Sequence, residues 1–369
     1  MGKQAILALS DGSVYEGYSF GADVDTYGEV VFSTSMTGYQ EMLTDPSYAG
    51  QIVIAAYPLI GNCGINATDT ESDRIQVRGL AVREEAAIPS HYQSLKTLSQ
   101  YLTEANIPGI AELDTRAITR KLRTQGTMMG ILTSQKTPQQ ALEALRSAPL
   151  YDQTDFVKEI STHTTHRWQD IGTPGKYHVA VLDCGCKYSL LRLLRTLDCT
   201  VTVIPCTTSA DEILALKPDG LLVSPGPGNP RLLDYIVANI QGVIGYMPIM
   251  GICLGSQLIT QAFGGENFKL KFGHHGGNYP VRDLRTGRVY ITAQSHSYAP
   301  NPASLPPELE ISHVNLNDGT VEGLRHKTLP ICTIQYYSDT SPGALTGTHV
   351  FGDFLNMLRE KKGETVLSS

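Results

Sequence analysis

No run in this chain is apolar over the roughly 20 residues that a membrane-crossing helix needs, so nothing in it reads as a span. The opening residues, MGKQAILALSDGS, lack the long apolar core and cleavage site of a secretory signal, and a cytoplasmic location is expected. Positive charge is in deficit. Lys and Arg number 29 against 36 Asp and Glu, and the net charge of -7 gives no electrostatic footprint for nucleic acid. Cysteine is sparse and odd in number: 7 in a chain with no export signal do not make a disulfide framework, and free thiols are expected. Cys184 and Cys186, in DCGC, have no second pair of ligands to complete a zinc site, and no metal is expected in the chain.

What is present is length and an ordinary soluble composition. With 369 residues, 41% hydrophobic and 18% charged, the chain is long enough for two domains, each burying its own core. Residues 1–150 read as a compact mixed domain. QAILAL and SVYEGYSF are strand-like and flank the turn Ser10-Asp11-Gly12, and GEVVFST, QIVIAAYP and RGLAVRE follow as further strands. Residues 94–105 and 115–123 have the spacing of amphipathic helices, the second with Asp114 as its N-cap. Residues 151–176, containing THTTHRW and GTPGK, are polar and turn-rich and read as a linker, in which His163 and His166 are solvated rather than ligands.

From 177 to 361 the pattern changes to alternation of apolar strands and helices: HVAVLDCG, SLLRLLRTL, TVTVIPC, a helix near 211–216, GLLVSPG, a helix near 232–241, then PIMGIC. Repeated β-α-β units imply a parallel sheet with helices on both faces, and ligands in such sheets bind at the carboxyl ends of the strands. Residues 362–369 are a tail. Two segments fall at carboxyl ends. In MPIMGICLGSQ, Cys253 stands between Gly251 and Gly255, where a strand turns sharply into a helix; the glycines remove collisions at the turn, and a helix N-terminus favours a thiolate and an oxyanion. The motif alone fits a buried cysteine in a turn equally well. SPGPGNP at 224–230 has no GxGxxG and no Walker lysine, so phosphate binding does not follow. Its Gly226 and Gly228 would let main-chain N-H groups approach a ligand, or simply form a rigid turn.

SPGPGNP and GICLGSQ together with KLKFGHHGGNYPV (269–281), ITAQSHSYA (291–299) and SHVNLNDGTVEGL (312–324) resemble one family, the small subunits of carbamoyl phosphate synthetase, which are class I glutamine amidotransferases. GEVVFSTSMTGYQEMLTDPSYAGQIV (28–53), YPLIGNCGIN (57–66) and LDTRAITRKLR (113–123) carry the likeness through the N-terminal half. The resemblance implies a mixed α/β N-terminal domain followed by an amidotransferase domain with a mainly parallel, helix-covered sheet. It implies that the chain hydrolyses glutamine and passes ammonia to a large subunit, which makes carbamoyl phosphate, a precursor for arginine and pyrimidine synthesis. ATP and Mg are expected on that partner, and no cofactor on this chain. On the family pattern Cys253 is the nucleophile, Gly228 and Leu254 supply oxyanion N-H groups, and Ser47, Gly226, Gly228, Leu254 and Gln257 hold glutamine, with Tyr298 in the pocket segment.

One segment departs from the pattern. The family's QYHPE, which supplies a histidine base and the glutamate that orients it, corresponds to IQYYSD here: Tyr337 stands at the histidine position, Ser338 at the proline and Asp339 at the glutamate. A free phenol, with a pKa near 10, is a poor base at neutral pH. Loss of a positioned base commonly costs about 10²- to 10⁴-fold in rate. Ser295, Ser297 and Tyr298 also replace the family's usual Asn, Gly and Phe. The expectation is a small subunit whose glutaminase is weakened or lost. Two alternatives stay open: an active glutaminase whose base is another group, with His296 and His349 nearest in sequence, and a non-catalytic scaffold for an ammonia-using synthetase. His274 and His275, in FGHHGG, belong to the signature without an assigned acid-base role.

Overall fold

The computed structural model describes residues 2–169, 174–337 and 349–364, and divides into two compact units: Met1–Thr154 with Lys271–Gly276, and Asp155–Leu270 with Gly277–Ser369. In the first unit the turn after strand Gln4–Leu9 closes as its sequence suggests. Asp11 accepts from the Ser13 N-H at 3.0 Å and Gly12 takes φ +91°, so the chain reverses into strand Val14–Gly21.

Seven strands then close into a barrel in the order Gln4–Leu9, Val14–Gly21, Pro108–Ala111, Gly79–Ala81, Gln51–Ala55, Thr26–Ser33 and Met128–Thr133. Three neighbouring contacts in it are parallel, joining Thr26–Ser33, Gln51–Ala55, Gly79–Ala81 and Pro108–Ala111. Strand Gln51–Ala55 is buried along its whole length, with Ile52 and Ile54 in one cluster and Val53 and Ala55 in another. A strand buried on both faces reads as a continuous apolar run, as QIVIA does. Helix Leu98–Glu104 seats Leu98 and Leu102 on the second of those clusters, and helix Thr115–Gln125 seats Ile118 and Leu122 on the first. Asp114 caps the latter, accepting from the Ala117 N-H at 2.9 Å. Strands Pro108–Ala111 and Met128–Thr133, which close the ring, are short runs without a marked sequence pattern. Residues 271–276 join this unit through main-chain bonds from Thr34 and Thr127 to the carbonyls of His275 and Lys271.

Residues 151–176, expected as a linker, carry a 3-10 turn at Tyr151–Gln153, helix Val157–Ile160 and strand His166–Arg167, which pairs antiparallel with Cys199–Pro205. His163 and His166 are exposed.

The second unit is built on a ten-stranded sheet. Its core is the parallel set Cys199–Pro205, Tyr177–Asp183, Gly220–Val223, Ile249–Ile252 and Ile331–Ile334. Val321–His326 and Leu309–Asn315 extend it antiparallel, followed by the long strands Asn267–Asp283 and Val289–Pro300. Side chains alternate between two cores. Val179, Val181, Leu222, Met250 and Ile252 pack with helices Tyr188–Thr196 and His349–Lys361. Ala180, Leu182, Leu221, Val223 and Ile249 pack with helices Ala210–Ala215, Asp234–Val243 and Leu254–Ala262. The expected parallel sheet with both faces covered is therefore present, extended by antiparallel strands. All seven cysteines are free thiols, and Cys63 alone among them is exposed.

His275 lies fully buried beside the Tyr48 ring, 5.7 Å between centroids, and burial, helped by the charge of His274, pushes its pKa down to about 3 from 6.5. The unfolded chain therefore binds a proton at this residue between about pH 6.5 and 3 that the folded chain does not, so folding stability falls as pH falls through that window. Urea unfolding from pH 8 to 4 is expected to show wild type losing up to about 1.4 kcal/mol per pH unit relative to His275→Leu below pH 6.5. A constant difference between the two proteins across that range would contradict the assignment.

Candidate functional site

Strand Ile249–Ile252 is buried throughout and passes into helix Leu254–Ala262 through one residue, Cys253, at φ 53°, ψ -109°. That is a sparsely populated backbone for any side-chain-bearing residue, and it persists only where the surroundings hold it. Here the Cys253 N-H donates to the Ile334 carbonyl at 2.8 Å, and its own carbonyl accepts from Ser256 and Gln257 at 3.0 and 3.2 Å. The flanking glycines have steric reasons. A Cβ on Gly255 would lie 2.1 Å from the Val223 carbonyl oxygen, and one on Gly251 would lie 2.6 Å from Ile259 Cδ1. The collisions inferred from the sequence are thus real ones.

The Cys253 thiol is 1% exposed and donates to the Ser295 carbonyl, with 3.6 Å between sulfur and oxygen. A carbonyl oxygen accepts a hydrogen bond but is no base at neutral pH, so this contact holds the thiol without activating it. Leu254 opens the helix, where main-chain N-H groups have no helical carbonyl to meet. The loop after strand Gly220–Val223 lies alongside: a Cβ on Gly226 would sit 2.0 Å from the Cys184 carbonyl oxygen and 2.8 Å from Leu254 Cδ2, while Gly228 has φ +90°. Gly226, Gly228, Cys253 and Leu254 therefore share one carboxyl edge, as the alternating pattern implies.

Gln257 and Tyr298 are brought together. The Tyr298 carbonyl receives Gln257 Nε2 at 2.9 Å and Gln335 Nε2 at 3.0 Å, and His296 Nδ1 lies at 2.9 Å. His296 Nε2 faces Gln294 Oε1 at 3.1 Å and Glu322 Oε1 at 4.0 Å, both partners buried. Both ring nitrogens of His296 thus face acceptors inside a buried network, which makes it an anchor for the strand rather than a base for Cys253. His349 heads the last helix. Ser47 belongs to the first unit, buried in the 3-10 turn Pro46–Tyr48, its N-H held by Asp45 Oδ1 at 2.9 Å. Ser338 and Asp339 lie outside the described residues.

Tyr337, just beyond strand Ile331–Ile334, is 5% exposed; its N-H donates to the Ala293 carbonyl at 2.8 Å, and it shares a core cluster with Cys253. The Lys187 ammonium lies over its ring, 4.1 Å from the centroid. Lys187 is 1% exposed and follows strand Tyr177–Asp183 at the same edge. A buried ammonium is costly unless compensated, and an aromatic face offers partial compensation. No motif in the sequence marks Lys187. Its signal is its place, four residues after a strand end and at the N-cap of an amphipathic helix, but spacing does not reveal that a lysine there is buried.

Residues 7–132 match the family model of the carbamoyl-phosphate synthase small chain, CPSase domain, and residues 180–357 that of class-I glutamine amidotransferase. The carbamoyl phosphate synthase small chain of Akkermansia muciniphila is 45% identical over 366 residues, covering 97% of this chain and 98% of that one. That of Aquifex aeolicus is 44% identical over 97% of this chain and 99% of its own, and the chloroplastic small chain of Oryza sativa 43% over 97% and 83%. Among solved structures, a putative GMP synthase component from Thermoplasma acidophilum aligns at TM-score 0.45 and 22% identity, over 51% of this chain and 96% of its own.

The strained backbone at Cys253 has a measurable consequence. Glycine tolerates positive φ and alanine does not, so Cys253→Gly is expected to be more stable than Cys253→Ala by about 1 kcal/mol, reversing the usual order of these residues. Urea midpoints of the two variants measure it, and an alanine variant at least as stable as the glycine one would show that the turn stores no strain.

Proposed function

The chain belongs to the carbamoyl phosphate synthase small-chain family and carries its glutamine amidotransferase domain, and from that premise we propose that Cys253 is the glutamine-attacking nucleophile of a site whose turnover is weakened by Tyr337. The observation that carries the proposal is the buried Tyr337 ring, capped by Lys187, at the position of the family's base. In the first step Cys253 Sγ attacks the amide carbon, and the carbonyl oxygen becomes an oxyanion facing the N-H groups of Leu254 and Gly228. The thiol proton must reach the departing nitrogen so that ammonia leaves and a glutamyl thioester remains. Water then attacks the thioester, again surrendering a proton. A neutral phenol is a weak base, so Tyr337 does not serve these transfers as imidazole does. Ser47, Gly226, Gln257 and Tyr298 are assigned to holding glutamine, and Asp339 to the place of the orienting carboxylate.

The partner is the large synthetase subunit, which receives the ammonia and holds ATP and Mg; this chain needs no cofactor of its own. The alternative is a scaffold subunit for a synthetase fed by free ammonia. It is favoured by the tyrosine that stands at the position of the family's base.

The test is carbamoyl phosphate formation by the assembled pair. Ammonia-dependent synthesis is expected to be intact, while glutamine-dependent synthesis runs about 10²- to 10⁴-fold below that of a relative that keeps the histidine. Tyr337→His with Asp339→Glu should raise the glutamine-dependent rate at least about tenfold. Wild-type glutamine turnover equal to the relative's, and abolished by Cys253→Ala, would refute the weakened site. Glutamine turnover absent both before and after reconstruction would favour the scaffold.

A further inference from the structure

At the amino ends of the parallel strands, opposite the edge that carries Cys253, the second unit contains a cavity of about 450 Å³. Its walls are the loop before strand Ile249–Ile252, the loop before strand Ile331–Ile334 and the last turn of helix His349–Lys361. The volume lies within the range of small-molecule sites. Met247, Leu329 and Met357 give it an apolar floor, and Tyr246, 63% exposed, stands at the rim.

Its charge runs against the rest of the protein. In a chain of net charge -7, the cavity lining holds Arg325, Lys327 and Lys361 against Glu360 alone. Arg325 is shared with Asp353, 3.5 Å away, outside the lining. The two lysines are held by main-chain oxygens: Lys327 Nζ donates to the Pro307 carbonyl and Lys361 Nζ to the Tyr246 carbonyl. A carbonyl dipole orients an ammonium without neutralising it. Burial pushes the Lys361 pKa down against the attraction of Asp219, as expected of a cation that gives up water without gaining a full counter-charge in the cavity.

We propose that this cavity is a binding site for a small organic phosphate, a phosphate monoester on an apolar or aromatic body. The excess of three cations over one carboxylate matches a dianion better than a single carboxylate, and a phosphate monoester carries about -1.5 to -2 at neutral pH. The apolar floor and the Tyr246 ring call for more than inorganic phosphate. The site is separated from the elbow by the length of the strands and stands independently of whether Cys253 turns over.

The test uses the full chain and phenyl phosphate as probe, with inorganic phosphate and phenol as controls, by titration calorimetry. Phenyl phosphate should bind saturably, inorganic phosphate more weakly and phenol not measurably, with affinity falling as salt rises. Lys327→Gln and Lys361→Gln should each weaken phenyl phosphate by about 10- to 100-fold, the loss of one charge-assisted hydrogen bond. Lys158→Gln, an exposed lysine on helix Val157–Ile160, should leave it unchanged. Lys361 also ties down the Tyr246 carbonyl, so if its variant melts early, Lys327→Gln decides the matter. No saturable binding of phenyl phosphate at millimolar concentration, or equal binding by wild type and Lys327→Gln, would overturn the proposal.

Discussion

The carboxyl edge of the second unit depends on a missing carbon atom. Gly255 has no Cβ, and the space that atom would need, 2.1 Å from the Val223 carbonyl oxygen, is taken by the neighbouring strand. Because helix Leu254–Ala262 lies that close, the strand before it has a single residue in which to turn, and Cys253 takes the strained conformation. The constraint propagates sideways. Gly226 meets the Cys184 carbonyl at 2.0 Å by the same measure, so the loops after three adjacent strands stack backbone against backbone. Nothing bulky can stand between them. Such strain costs of order 1–3 kcal/mol and persists only in a well-packed frame. The frame is the double-sided core of valines, leucines and isoleucines on the sheet.

A second device fixes the strand that faces the elbow. The Tyr298 carbonyl collects Gln257, Gln335 and His296, and His296 leans on Gln294 and Glu322, all of them buried. Polar groups out of water must be satisfied or they destabilise, so a network of this kind tolerates few alternative positions for its members. It ties Gln257, on the elbow helix, to the strand that carries Ser295, whose carbonyl touches the thiol. The place of Gln257 and the thiol contact are therefore set together, by residues whose side chains hold one another.

How much of this could be read in advance follows from the physics of each part. Strands such as HVAVLD and GLLV are buried on both faces and appear as unbroken apolar runs, and the helices between them keep their own period, so the parallel sheet was legible. The steric roles of Gly251 and Gly255 were legible too, because spacing around a turn is local information. The barrel of the first unit was not. Its closure pairs Pro108–Ala111 with Val14–Gly21 and Gly79–Ala81, strands far apart in the chain, and short buried strands carry no alternation to announce them. Nor could spacing show that Lys187 is buried, or that both ring nitrogens of His296 are engaged inside the protein.

Lys187 bears on why the tyrosine matters. Its ammonium sits over the ring of residue 337, and a cation close to an ionisable imidazole would disfavour the imidazolium and keep the ring neutral, ready to accept a proton. An environment of that kind suits a histidine base. What the ring of Tyr337 does provide is an electron-rich face for a buried ammonium that has left water. A tyrosine therefore fills the packed position 337 and meets the lysine with its ring. The elbow and the Tyr298 network have contacts of their own, the Cys253 N-H on the Ile334 carbonyl and the two glutamines on the Tyr298 carbonyl, so neither is built on the side chain at 337.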